Sequence, residues 1–188
     1  MDLTIEEKQI VDAVLHGDAD EFRILVERYQ TPVYNLMLRL THTTMTAEDL
    51  TQDVFERAYA KLHTFKSGKR FFPWLYTIAV NAGRDHLRKK GVRRDIFSAD
   101  AGTQEWADPD TESCVKRLDC VMEAVRVSDA MDRLPLKYSE PMLLYYREGF
   151  SVKEIAAALS ISVPSVKVRV YRGRKLLMQA IGVNDVTS

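Results

Sequence analysis

Apolar residues recur along most of the chain at intervals of three and four, the spacing that places them on one face of an α-helix. Ile10, Val11, Val14 and Leu15 keep that period behind a Thr4/Glu7 capping pair, and Gly17 supplies a stop. Asp18 with Glu21 opens a second helix bearing Phe22, Leu25, Val26 and Tyr29 on one side. Thr31-Pro32 then reads as the N-cap and first-turn proline of a separate helix over Val33 to Leu40. Thr46, with Asp49 completing its first turn, opens a helix carrying Leu50, Val54, Phe55, Ala58 and Leu62. A polar loop from Phe65 to Arg70 separates this from a helix that begins at Pro73 and runs to about Lys90. No stretch alternates with the period of a strand, so the expected fold class is all-α.

The periodicity stops at Gly91. From there to about Ser113 the chain is mostly Asp, Ser, Thr, Ala and Gly, too polar to bury a core, with Phe97 and Trp106 as isolated exceptions. Helical spacing resumes near Val115 and runs to Leu134-Pro135. Two small helical domains joined by a flexible acidic linker are therefore expected, over 1–92 and 116–182, with the linker at 93–115 and a tail at 183–188. Pro141 has two solutions: Ser139 caps a new helix with Pro141 in its first turn, or a helix already running from Leu136 is kinked there.

A 188-residue chain with 27 Lys+Arg against 27 Asp+Glu has no net charge, which by itself argues against a nucleic-acid partner. The distribution reverses that inference. Residues 1–64 carry 6 basic and 12 acidic side chains, residues 65–94 carry 9 and 1, residues 95–135 carry 4 and 10, and residues 136–188 carry 8 and 4. Two basic blocks, each mixed with aromatic residues, thus alternate with two acidic ones, and the acidic linker is expected to shield the basic surfaces. Cys114 and Cys120 are too few and wrongly spaced for a disulfide framework or a zinc site, so no metal or other cofactor is expected. His16, His42, His63 and His86 form no triad or ligand spacing and no Gly-rich phosphate loop occurs, which argues against an enzyme. An acidic N-terminus without a basic-then-apolar pattern, and no apolar run long enough to span a bilayer, point to a cytoplasmic protein.

Residues 151–177 hold the most specific pattern. Ser151 and Glu154 form a capping box for a short helix with Ile155, Ala156 and Leu159 inward, and small Ala156 and Ala157 suit a close helix crossing. Ser160-Ile161 makes a turn, and Ser162 with Pro164 starts a second helix. There Val166, Val170 and Leu177 share one side, while Lys167, Val168, Tyr171, Arg172 and Lys175 point elsewhere, and no acid interrupts the run from Pro164 to Ile181. This is a helix-turn-helix with a basic recognition helix.

With Leu134-Pro135-Leu136-Lys137-Tyr138 and Leu143 to Phe150 before it, that motif resembles the fourth conserved region of extracytoplasmic-function (ECF) sigma factors. Thr46 to Phe55 resembles the polymerase-binding helix of their region two, and Phe72 to Asn81 followed by Asp85 to Lys90 resembles the promoter-melting segment. The likeness covers about residues 15–90 and 127–181. It implies that Asp49, Gln52, Asp53, Phe55 and Arg57 dock on the clamp helices of RNA polymerase core. It implies that Phe65, Lys66, Lys69, Arg70 and Asn81 capture a base of the −10 element, while Arg84, Arg88, Lys89 and Lys90, with Arg93 and Arg94, hold phosphates. It implies that Ser165, Lys167, Val168, Tyr171, Arg172 and Lys175 read the −35 element, with Arg169 and Arg174 on phosphate or acidic neighbours. Val168, Gly173 and Ser160 depart from the family's commoner small hydroxyl residue, alanine and turn glycine. Implied partners are polymerase core (clamp helices and flap), promoter DNA and an anti-sigma factor, without membrane insertion. The rival reading is a two-domain helix-turn-helix regulator that binds operators without polymerase; it leaves the segment from Trp74 to Arg94 unexplained.

Overall fold

A computed structural model describes residues 3–66, 68–91, 127 and 129–182. The helices are α1 (Leu3–Leu15), α2 (Phe22–Thr41), α3 (Thr44–Ala60), α4 (Phe71–Lys89), α5 (Leu136–Met142), α6 (Val152–Leu159) and α7 (Val163–Ala180). They build two compact units, the first around α1 to α4 and the second around α5 and α7. Among the described residues no strand forms, and no helix is long and apolar enough to cross a membrane. The expected linker, with Phe97, Trp106 and Cys114, lies outside the described residues, as do Arg93, Arg94, Cys120 and the tail.

In the first unit α2 packs on α3 and α4, and α3 packs on α4. Leu25, Val33, Leu36, Met37, Leu40, Val54 and Leu75 are fully buried there. The separate helix expected to start at Thr31-Pro32 does not exist, because α2 runs through Pro32 without a break. An interior proline costs about 3 kcal/mol. The stripe Phe22, Leu25, Val33, Leu36, Met37 and Leu40 is buried along one continuous face, and each such side chain contributes roughly 1.5–3 kcal/mol, so burial outweighs the proline. The next helix starts at Thr44 rather than Thr46. His42 takes the left-handed conformation (φ 56) while its N–H still reaches Leu38 O at 2.8 Å, which ends α2 and lets Thr43 act as the N-cap. Leu15, expected on the apolar face of α1, is 49% exposed; Ile10, Val11 and Val14 are buried without it.

In the second unit α5 starts at Leu136 and contains Pro141, the second of the two solutions, and Ser139 is buried inside it rather than capping a new helix. The chain then winds wide into a π-turn over Leu143–Arg147, with the Glu148 N–H on Leu143 O at 3.1 Å. Helix α5 packs against α7. Their backbones approach closely at Gly173, where a Cβ would stand 3.1 Å from Met142 Cγ and 3.3 Å from Tyr138 Cβ and collide with the Met142 sulfur.

Candidate nucleic-acid interface

The helix-turn-helix is built by short-range hydrogen bonds. Glu154 Oε2 accepts the Ser151 N–H at 2.8 Å, and Ser151 Oγ accepts the Glu154 N–H at 3.2 Å, a reciprocal box that starts α6. Ile155, Ala156 and Leu159 face inward as expected, but Ala158 rather than Ala157 is the second buried alanine. Ser160 makes the turn in the left-handed region (φ 55), doing as a serine what glycine does without strain. Ser162 Oγ then accepts the Ser165 N–H at 3.2 Å, with Pro164 in the first turn of α7, so the basic helix starts at a fixed point.

On α7, Lys167, Arg172 and Lys175 are exposed. Tyr171 is half-buried with the Arg174 guanidinium 5.8 Å over its ring, and Ser165 is half-buried and occupied with the cap. Two of the side chains assigned to DNA are not on the surface. Val168 is 6% exposed and Arg169 is 0% exposed. Arg169 lies one turn after Val166 and one turn before Gly173, on the stripe that packs against α5, and it is already engaged with a partner. An apolar valine and a guanidinium held in the interior present no group to a groove, so the basic surface of α7 consists of Lys167, Arg172 and Lys175 beside Tyr171.

The second basic surface follows the end of α4. Asn81, Arg88, Lys89 and Lys90 are exposed; Arg84 is half-buried. Arg84 Nη1 reaches Asn81 Oδ1 at 3.5 Å and Arg88 pairs with Asp85 at 3.2 Å. His86 lies among these cations, and burial first, then Lys90 and Lys89, hold its imidazole below the ordinary histidine range. In the loop before α4, Lys66 and Lys69 are exposed and Arg70 is half-buried as the backbone N-cap. Phe65 is not free. Its ring meets Phe71 at 5.6 Å and Trp74 at 5.5 Å, both edge-on.

Helix α3 carries the third group. Asp49 and Gln52 are exposed, and Gln52 donates to Glu56 at 2.9 Å. Asp53 and Arg57 form a two-pronged pair, Nε to Oδ1 at 3.0 Å and Nη2 to Oδ2 at 2.5 Å. Phe55 is only 7% exposed, so it does not project as an anchor. It lies instead in an open groove of about 710 Å³ between α2 and α3, lined also by Phe22, Tyr34, Gln52, Glu56 and Tyr59. Tyr59, packed edge-on to Phe22 at 5.2 Å and 46% exposed, is the exposed aromatic beside this groove. It was legible as the residue one turn after Phe55.

Residues 25–93 match the family model of Sigma-70 region 2, and residues 124–177 that of Sigma-70, region 4. The chain is 30% identical to the RNA polymerase sigma-H factor of Pseudomonas aeruginosa, over 94% of each chain. It is 31% identical to the ECF RNA polymerase sigma factor SigW of Bacillus subtilis, over 93% of this chain and 96% of that one. Among solved structures its fold resembles that of the sigma factor RpoE from Bartonella quintana, determined with the anti-sigma factor NepR. The TM-score is 0.60 at 23% identity, covering 87% of this chain and 98% of that one.

Proposed function

The chain belongs to the ECF sigma factors, and from that premise we propose that it binds RNA polymerase core and directs it to promoters by reading −10 and −35 elements and helping the strands to open. One observation carries this reading: region 2 and region 4 occur in order in one chain, and each bears an exposed basic surface. A stand-alone operator-binding regulator needs the second and has no use for the first.

The roles divide by chemistry. The exposed face of α3, with Asp49, Gln52, the Asp53–Arg57 pair and the groove beside Tyr59, offers polar groups around an aromatic rim, which suits a helical partner such as the polymerase clamp. Lys66, Lys69, Asn81, Arg84, Arg88, Lys89 and Lys90 receive the −10 strand: the cations hold phosphates, and the loop and Asn81 receive a base once it unstacks. Stacking contributes roughly 1–3 kcal/mol per base, which offsets part of the melting cost. Lys167, Tyr171, Arg172 and Lys175 enter the major groove at −35, where an arginine in bidentate contact with guanine discriminates most sharply. The protein supplies recognition and strand opening in the cytoplasm, and the polymerase supplies the chemistry. An anti-sigma factor would act by covering the α3 face. Adding the purified chain to polymerase core should give promoter-specific transcripts that core alone does not make; operator binding without transcripts would return the reading to a regulator.

A further inference from the structure

The spacing of Thr4 and Glu7 predicts a capping box, but α1 already begins at Leu3. The Glu7 carboxylate, in a side chain only 5% exposed, makes contacts outside its own helix. Oε2 accepts the backbone N–H of Phe71 at 3.1 Å, and Oε1 accepts the Tyr29 hydroxyl. Phe71 is the first residue of α4, so its N–H is one of the four that no carbonyl within the helix can satisfy. The backbone N-cap, Arg70, makes no side-chain cap bond. The cap therefore comes from another helix, 64 residues upstream, and places a carboxylate at the positive end of the α4 dipole.

Tyr29 extends the connection. Its ring stacks on Phe72 at 4.6 Å with the planes 10° apart and lies 5.9 Å from Phe71. Burial and then the Glu7 carboxylate push the Tyr29 phenol far up, so it remains a donor at physiological pH. One residue away on each helix, Arg28 pairs with Glu6 at 3.1 Å and pins the same turns together. Phe71 in turn closes a triangle of rings with Phe65 and Trp74, with centroids 5.4 to 5.6 Å apart. An unbroken series of contacts thus runs from a carboxylate on α1 to Phe65, the first residue of the loop before α4.

We propose that Glu7 is a positioning residue for strand opening: by capping α4 it holds the Phe65–Phe71–Trp74 triangle, and with it the root of the 65–70 loop, in the geometry that receives an unstacked base. This rests on the reading of that loop as a base-capturing element. A loop whose root is fixed beforehand pays less ordering entropy when the base arrives, which is how a side chain distant from the DNA affects the opening step.

The test uses the full chain with Trp106→Phe as background, so that Trp74 alone reports on the triangle. Trp74 emission and its quenching by iodide are measured on the free protein. Opening by the reconstituted holoenzyme is followed with 2-aminopurine in the −10 element of a duplex promoter and of the same promoter carrying a premelted bubble. Glu7→Ala should expose Trp74 to iodide and slow duplex opening about tenfold, with the bubble template restored to within about twofold. Glu7→Gln keeps an acceptor for the Phe71 N–H and should recover most of the rate. Tyr29→Phe removes one hydroxyl, keeps the stack and should slow opening about threefold, which preserves the test if Glu7→Ala fails to fold. Unchanged Trp74 quenching in both Glu7→Ala and Tyr29→Phe, or equal losses on duplex and bubble, overturns the proposal. Lys66→Ala with Lys69→Ala probes the loop separately: normal opening there, with slow opening in Glu7→Ala, defeats the base-capture reading while leaving the link between Glu7 and opening.

Discussion

Gly173 lies in the interior of α7, where a glycine costs about 0.5–1 kcal/mol relative to alanine. Gly173→Ala would recover that energy if the space were open. It is filled: the new Cβ would collide with the Met142 sulfur and stand 3.1 Å from Met142 Cγ and 3.3 Å from Tyr138 Cβ. Met142 is 2% exposed, and the atoms met are the middle of its side chain and a Cβ fixed to the α5 backbone, so neither can swing clear. Overpacking of this kind costs about 1–3 kcal/mol, which exceeds the glycine term and leaves a net loss of about 1 kcal/mol. Met142→Ala alone should cost about 2–5 kcal/mol, because it empties the volume beneath Gly173. Together the two changes should cost less than their sum by about 1–2 kcal/mol, since the added methyl enters the vacated space. Hydrogen exchange of α7 amides measures each opening free energy within the C-terminal unit, where Trp74 fluorescence would be silent. Binding to a −35 duplex should weaken in the same order, because this crossing positions the recognition helix. A Gly173→Ala protein more protected than its parent, or strictly additive losses, would refute the reasoning.

Replacing Lys89 and Lys90 by alanine should weaken binding to every promoter and lower the slope of log K against log salt by about 1–2, as loss of two phosphate contacts requires; a salt titration reads this directly. Ser160→Gly should stabilise the helix-turn-helix by about 0.5–1 kcal/mol, because glycine occupies φ 55 without the left-handed penalty and this exceeds its extra unfolded entropy; amide protection in α6 and α7 checks it. His86 is held below its unfolded value of about 6.5, so the unfolded chain takes up the proton first. Its contribution is therefore complete above about pH 6.5 and lost as the pH falls through the folded value, and His86→Gln should flatten that part of the urea-midpoint profile reported by Trp74. Arg169→Met should destabilise the C-terminal unit by about 1–3 kcal/mol, because it removes the interaction that this fully buried guanidinium makes, while the salt slope of −35 binding stays unchanged. A stable Arg169→Met protein with a slope lowered by about 1 would return Arg169 to the phosphate.

Most helices were legible because amphipathic spacing and side-chain caps are local signals. Ser151/Glu154 and Ser162 cap as their spacing indicates, and both are made within four residues. The errors lie where a distant partner outweighs a local preference. Pro32 reads as a helix start, yet the buried stripe on both sides of it is satisfied only by one continuous α2 against α3 and α4. Thr4/Glu7 reads as a helix start, yet α1 already begins at Leu3 and Glu7 caps α4, a pairing that no window of neighbouring residues contains. Serine is not of a type that announces a left-handed residue and histidine does so only weakly, so the ends of α2 and α6 were visible mainly as the points where new caps begin.

The candidate site was legible as charge and less so as orientation. Counting cations in α7 treats Lys167, Arg169, Arg172 and Lys175 alike, but a helix advances about 100° per residue and sorts them. Arg169 shares its face with Val166 and Gly173, and a small residue one turn after an arginine on an apolar stripe marks a helix crossing rather than a groove contact. The same geometry sorts α3, where Phe55 turns in with Val54 and Ala58 while Asp49, Gln52 and Tyr59 remain outside. Segregated charge therefore marks the segments proposed to meet nucleic acid, whereas the helical face decides which of their residues are exposed to it. A basic residue in a recognition helix is assigned to DNA only after the packing stripe through the nearest glycine or alanine has been drawn, and Arg172, off that stripe and exposed, is where specificity at −35 should be sought first.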